Sequence, residues 1–165
     1  MLHPAGAAAR FSGPESSANV SVLYNATALG PEAAITLEAK FFVEEWPASG
    51  IDNFHCLALT FDWDASIGLN APKYGNRSSV NVGAATIAGQ DALTDLWDSS
   101  PPRWVSLVMT ANATTSTVSL DGKLVAAAAV PNPFIKKPPR DGLLMLEVGH
   151  FTGLLDELRI STSVR

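Results

Sequence analysis

The sequence predicts an all-β domain, a sandwich or barrel of about ten short strands, and three observations lead there. Apolar and polar residues alternate with period two along much of the chain, as a half-buried strand requires. Gly and Pro interrupt that pattern at short intervals: Gly13-Pro14, Gly30-Pro31, Pro47, Ala71-Pro72, Pro101-Pro102, 131–139 and Gly153. Helical periodicity is confined to Asp91-Ala92-Leu93-Thr94-Asp95-Leu96-Trp97, a turn or two that ends before Pro101-Pro102.

In chain order, strands are expected at 8–11, 19–23, 35–44, 54–63, 79–83, 104–110, 115–120, 123–126, 143–148 and 154–160. The firmest block is Trp104-Val105-Ser106-Leu107-Val108-Met109-Thr110 followed by Thr115-Ser116-Thr117-Val118-Ser119-Leu120. Ala111-Asn112-Ala113-Thr114 between them has the length and composition of a hairpin loop. Asp121-Gly122 then precedes Lys123-Leu124-Val125-Ala126. Asp-Gly between β-rich runs favours the tight turn whose twist matches paired strands, since both central residues need positive φ. No internal repeat or linker divides the chain.

Length and composition narrow the function. The 165 residues fit one domain with a full-sized core, and 47% hydrophobic with 16% charged content is ordinary for an ordered protein. A net charge of −5 argues against nucleic acid, which needs a basic face. The densest cations, Lys136, Lys137 and Arg140, sit among prolines and read as a solvated loop. No stretch is apolar enough to insert in a membrane; 104–120 is uncharged, but Ser, Thr and Asn interrupt it. The start, Met1-Leu2-His3-Pro4-Ala5-Gly6, lacks the features of a signal peptide. The expectation is one domain over 1–165, excised from a larger extracellular protein. The lone Cys56, in an apolar run, excludes an internal disulfide and is expected to be a buried, inert thiol.

Four glycosylation triplets occur, at Asn19, Asn25, Asn76 and Asn112. They exceed what chance pairing of Asn with Ser and Thr gives, and three fall in expected loops, where an acceptor must lie. They point to an extracellular or cell-surface location.

Several segments, in order, resemble the laminin G-like jelly-roll domain of the concanavalin A-like lectin/glucanase superfamily. Ala9-Arg10-Phe11-Ser12-Gly13 with Ser17-Ala18-Asn19-Val20-Ser21-Val22 is similar to the first hairpin of that family, and Ile35 to Val43 to its next strand, with Lys40 near a position where the family usually has Trp. Arg103-Trp104-Val105-Ser106-Leu107-Val108-Met109 resembles its Trp-x-x-Val/Leu-x-Val strand. Thr117-Val118-Ser119-Leu120-Asp121-Gly122-Lys123-Leu124-Val125 resembles its most recognisable hairpin, and Gly153-Leu154-Leu155-Asp156-Glu157-Leu158-Arg159-Ile160 its closing strand. The resemblance spans roughly 8–161. It implies a two-sheet antiparallel β-sandwich, and it leaves function open because this fold hosts lectins, hydrolases, adhesion modules and spacers.

Related glucanases carry three carboxylates on one strand. Here Asp62-Trp63-Asp64 has the same-face spacing of two, but Ile67 stands where the third acid belongs. A solvated pair flanking a turn is the preferred reading, and no enzyme activity is expected. His3, His55 and His150 sit in no nucleophile signature, and His55 and Cys56 point to opposite faces of a strand. The resemblance also implies a place for one structural Ca²⁺ between the first hairpin and Asp156, using carbonyls near Gly13 or Ser16 and Glu15. The alternative for Asp156 is an ion pair with Arg159 or a strand-end cap.

Sugar binding needs an aromatic face with nearby polar groups. Trp104 and Trp63 are expected in the core and Trp46 half exposed. Trp97, amid Asp95, Asp98, Ser99 and Ser100, is the best candidate for an exposed ligand platform, although anchoring its own loop would explain it as well. Asp62, Asp64, Tyr74, Asn70 and Asn76 are the polar candidates on the same rim. The expected function is non-catalytic recognition of glycans. The alternative is a structural or adhesion domain that contacts neighbouring protein domains, and a glycoside hydrolase whose turnover depends on Asp62 is the remote one.

Overall fold

In a computed structural model, the described residues are 8–12, 17–23, 34–45, 55–62, 64–73, 77–97, 101–139 and 141–162. They form twelve strands: β1 Ala9–Phe11, β2 Ser17–Leu23, β3 Ile35–Glu45, β4 His55–Asp62, β5 Ala65–Lys73, β6 Arg77–Val82, β7 Ala85–Ala88, β8 Trp104–Ala111, β9 Ser116–Leu120, β10 Lys123–Ala128, β11 Leu143–Gly149 and β12 Thr152–Ser161. A 3-10 turn at Gln90–Leu93 runs into a single helical turn, α1 Thr94–Trp97, and a second, α2, spans Pro133–Lys136. The strands build two antiparallel six-stranded sheets. The first has the order β1-β12-β3-β8-β9-β10 and the second β2-β11-β4-β5-β6-β7. The expected two-sheet sandwich is therefore what the chain forms.

Alternation explains the core. On β3, Ile35, Leu37, Ala39, Phe41 and Val43 are buried, and on β8 Val105, Leu107, Met109 and Ala111. Leu57 and Leu59 of β4, Ile67 and Leu69 of β5, and Leu144, Leu146 and Val148 of β11 supply the opposing layer. Phe151 sits between Phe11 and Phe41 with ring centroids 5.1 and 5.5 Å away, the offset and tilted packing that aromatic quadrupoles favour. Cys56 is buried in this core, and burial pushes its thiol well above the ordinary range, so it is not a nucleophile at neutral pH.

Two strands depart from expectation. β5 contains Gly68 and Pro72, residues that argue against a strand. Pro72 falls where the β5–β6 register slips between Asn70 and Lys73, and a Cβ on Gly68 would lie 2.7 Å from the Cβ of Ala58 on β4. β7, Ala-Thr-Ile-Ala, is too short and Ala-rich to signal itself. The proline-rich segment also holds α2. The Asn132 side chain accepts a hydrogen bond from the Phe134 amide at 3.0 Å, with Pro133 at the first helical position, the cap and start that favour a helix. Trp104 is corrected as well: because Val105 and Leu107 face the core, Trp104 stands on the outer face of the first sheet, half-buried against Phe42 with centroids 5.6 Å apart.

The Asp121-Gly122 hairpin forms as expected, with φ of 49° and 78° and Leu120 opposite Lys123. Burial pushes the Asp121 carboxyl up. The Ser106 amide at 2.8 Å and the Arg103 guanidinium at 2.6 Å outweigh it and hold the group below the usual carboxylate range. A depressed folded value stabilises the protein above the unfolded value of about 4 and loses that contribution as pH falls through the folded one. Asp121→Asn is therefore expected to lower Tm at pH 7, with the deficit closing below about pH 4 in a melting series. A deficit constant with pH would assign the effect to turn geometry alone.

Candidate functional site

The outer face of the second sheet carries a polar arrangement that spans five strands. Leu144, Leu146 and Val148 face the core, so Met145 and Glu147 face out from β11. By the same alternation Ala58 and Thr60 face out from β4, Ser66, Gly68 and Asn70 from β5, and Ser79 and Asn81 from β6. Strand pairing aligns them in rungs. The middle rung runs Glu147–Ala58–Gly68–Asn81–Thr86. On one side lie His55, Asn70 and Ser79, and on the other Met145, Thr60 and Ser66. Strands stand about 4.8 Å apart, so Glu147 and Asn81 flank the small Ala58–Gly68 floor at roughly 14 Å.

Both ends of that rung are held in distinctive ways. His55 Nδ1 lies 3.1 Å from one Glu147 oxygen, and His150 Nε2 lies 3.9 Å from the other. His150 is buried in the β11–β12 turn with φ of 58°, a conformation His tolerates better than most residues. At the other end, the Asn81 side-chain oxygen is buried without a hydrogen-bond partner. Leaving such an atom unpaired costs about 1–3 kcal/mol, a cost that a water or ligand reaching it would remove. Asn70 donates from Nδ2 to Ser79 Oγ at 3.4 Å, and Thr60 Oγ1 donates to the Met145 carbonyl at 3.4 Å. The face thus offers a carboxylate, an imidazole, amides and hydroxyls around a floor of two small residues.

Of the residues named from sequence, Asn70 lies on this face, and the others with described side chains fall elsewhere. Asp62 ends β4 and Asp64 lies in the next turn, and both accept from Lys137 Nζ at 2.6 Å. Asp62 first, then Asp64, hold the Lys137 ammonium above its ordinary value. The pair is an exposed clasp that ties the chain after α2 to the β4–β5 turn. Trp97 ends α1, and its side chain is outside the described residues. Its segment lines a cleft of about 290 Å³ with Asp91, Thr94, Asp95, Lys123 and Leu124. That cleft is at the Lys123 end of β10, whereas Asp62 and Asp64 meet the segment that follows its Ala128 end. The backbone of α1 and the two aspartates thus lie toward opposite ends of β10. Tyr74, Asn76, Asn25, Trp46 and Trp63 lie outside the described residues, and of Asn19 only the backbone, in β2, is described.

Asn112 is the one triplet with a described side chain. Its Oδ1 accepts from the amides of Thr114 and Thr115 at 2.9 and 2.8 Å, which folds the β8–β9 loop around it. Asp156 Oδ1 accepts from the Glu157 amide at 2.7 Å, in the middle of β12 where its pairing with β3 slips and not at a strand end, while Arg159 approaches Glu38 instead. Gly13, Glu15 and Ser16 are outside the described residues. Among the described residues no group of three His, Cys, Asp or Glu could hold a metal ion, so any Ca²⁺ site at Asp156 would depend on that first loop. Among the described residues no helix is long and apolar enough to cross a membrane.

No family model matches the sequence, and no curated protein matches it. Among solved structures the chain is similar to domain 4 of AbnA, a GH43 extracellular arabinanase from Geobacillus stearothermophilus, in complex with arabinotriose. Identity is 16% and the TM-score 0.62, over 96% of this chain and 77% of that one. A GH43 protein, BlXynB from Bacillus licheniformis, matches at 10% identity and TM-score 0.49, over 79% of this chain and 28% of that one. The Caenorhabditis elegans galectin LEC-6 matches at 13% and 0.44, over 92% and 95%. At such identities the arabinanase domain speaks for the fold alone, and with the two six-stranded sheets it gives this chain the concanavalin A-like jelly-roll sandwich.

Proposed function

We propose that this domain is a non-catalytic glycan-recognition module, and that the saccharide lies on the outer face of the second sheet. The carrying observation is the middle rung: Glu147 and Asn81 flanking Ala58 and Gly68, with the buried Asn81 oxygen unpaired. Ala58 and Gly68 are themselves buried, so a saccharide meets the half-buried Glu147, Thr60, Asn70, Ser79 and Asn81 around them, its hydroxyls facing a carboxylate, amides and hydroxyls. The similar arabinanase domain, solved with arabinotriose, supports the reading. A laminin G-like module displayed outside the cell, with its Asn triplets glycosylated, is the finer assignment we favour from the motif order. The carboxylates spaced most like a catalytic pair are tied to Lys137, which supports recognition without turnover.

Screening the folded domain on a glycan array, with calcium and with chelator, tests this. Hydrogen bonds to a charged group contribute about 1.5–3 kcal/mol, so Glu147→Ala is expected to weaken binding about tenfold or more. Asn81→Ala should weaken it severalfold, and Asp62→Asn should leave it unchanged. A blank array, or binding indifferent to both Glu147 and Asn81, overturns the proposal. Loss of binding in chelator alone would implicate the first loop and Asp156.

One observation favours protein docking as a second reading. Leu154, Phe42 and Trp104 align in one rung on the outer face of the first sheet, half-buried, beside the Arg10–Glu44 ion pair. A domain that binds no glycan but loses a protein partner on Trp104→Ala would be of that kind.

A further inference from the structure

The charge distribution says which glycans the face accepts, an inference that rests on the proposed glycan site. Charged groups are segregated between the sheets. On the outer face of the first sheet, cations and anions alternate in ion pairs: Arg10 with Glu44 at 2.8 Å, Lys40 with Glu157 at 2.7 Å and Arg159 with Glu38 at 3.7 Å. Arg103 is held by Asp121 at the hairpin, and Lys137 by Asp62 and Asp64 at the β4–β5 turn. The three rungs of the second sheet carry no Lys or Arg at any outward position described above. Their only permanent charge is Glu147, whose side chain is 20% exposed. Lys73 and Arg77 pair on β5 and β6, beyond the Asn70–Ser79 rung.

A carboxylate in a partly buried site, with no guanidinium or ammonium beside it among the described side chains, repels an anion placed near it and accepts hydrogen bonds from neutral hydroxyls. We infer that the site selects uncharged saccharides and excludes uronic, sulfated and sialylated ones, with Glu147 as the residue that enforces the exclusion. This separates the domain from β-sandwich surfaces that would take acidic polysaccharides by cation clusters, whose binding collapses with salt.

The test is calorimetry at about pH 8 with arabinotriose, xylotriose and galactotriose against trigalacturonate and sulfated galactotriose. At least one neutral trisaccharide is expected to bind at least tenfold more tightly than either anionic one, with affinity unchanged between about 0.05 and 0.5 M NaCl. Glu147→Gln keeps hydrogen-bonding capacity without charge, so it should narrow the neutral-to-anionic ratio at least fivefold. Anionic ligands that bind as tightly as neutral ones, or a ratio indifferent to Glu147→Gln, would overturn the selectivity while leaving glycan binding standing. No binding by any saccharide on this panel or on the array would overturn the glycan reading itself, and the selectivity with it.

Discussion

Replacing Gly153 with alanine is expected to abolish cooperative folding. Gly153 opens the run of β12 against β3 with φ of 152°, where L-residues are strained. A Cβ built there would lie 2.1 Å from the Phe42 carbonyl oxygen, and that oxygen belongs to the backbone of a central strand. A flexible side chain could swing away, but a paired strand cannot. The register already slips by one residue between Thr152 and Gly153, so the close approach is part of how β12 enters the sheet. We expect a loss of about 5 kcal/mol or more, comparable to the whole stability of many domains. Circular dichroism and denaturant titration of Gly153→Ala would show it, and a variant melting within about 5 °C of the parent would refute the argument.

Phe134→Ala is the second large effect. Phe134 is fully buried although it belongs to a proline-rich connection, and it joins the core at one end of the sandwich. Truncating a buried phenylalanine costs about 3–5 kcal/mol, and in a domain of this size that lowers Tm by roughly 10 °C. Lys137→Ala, one residue beyond α2, breaks only exposed ion pairs and should move Tm far less. Equal effects from the two would mean that the clasp, rather than the buried ring, secures this segment.

These two positions show what could be read in the chain. Gly153 was visible because a motif surrounds it, and the core strands were visible where large apolar residues alternate, as in Trp104 to Met109. Phe134 was hidden because prolines on both sides read as loop, although Asn132-Pro133 is itself a helix-start signal. Trp104 is misplaced by the family resemblance, which puts a core Trp at that position; the neighbours Val105 and Leu107 decide the face, and a one-residue shift reverses it. The candidate site was least legible. Glu147, Ala58, Gly68 and Asn81 come from four strands, and only pairing brings them onto one rung. Asn70 was picked out, but on a rim with Tyr74 and the aspartates. A usable signal existed in Leu146-Glu147-Val148, a lone charge at an outward position within an apolar strand.

The sheet edges have a consequence for solubility. A sheet ends in unpaired amides and carbonyls that invite a second chain, and long flat edges seed aggregation. Here β1 offers three residues and β7 four. β10 is longer, but its pairing slips between Leu124 and Ala126, so its free edge presents no continuous template. Three of the four edges are thus too short or too irregular to offer a second chain a continuous template.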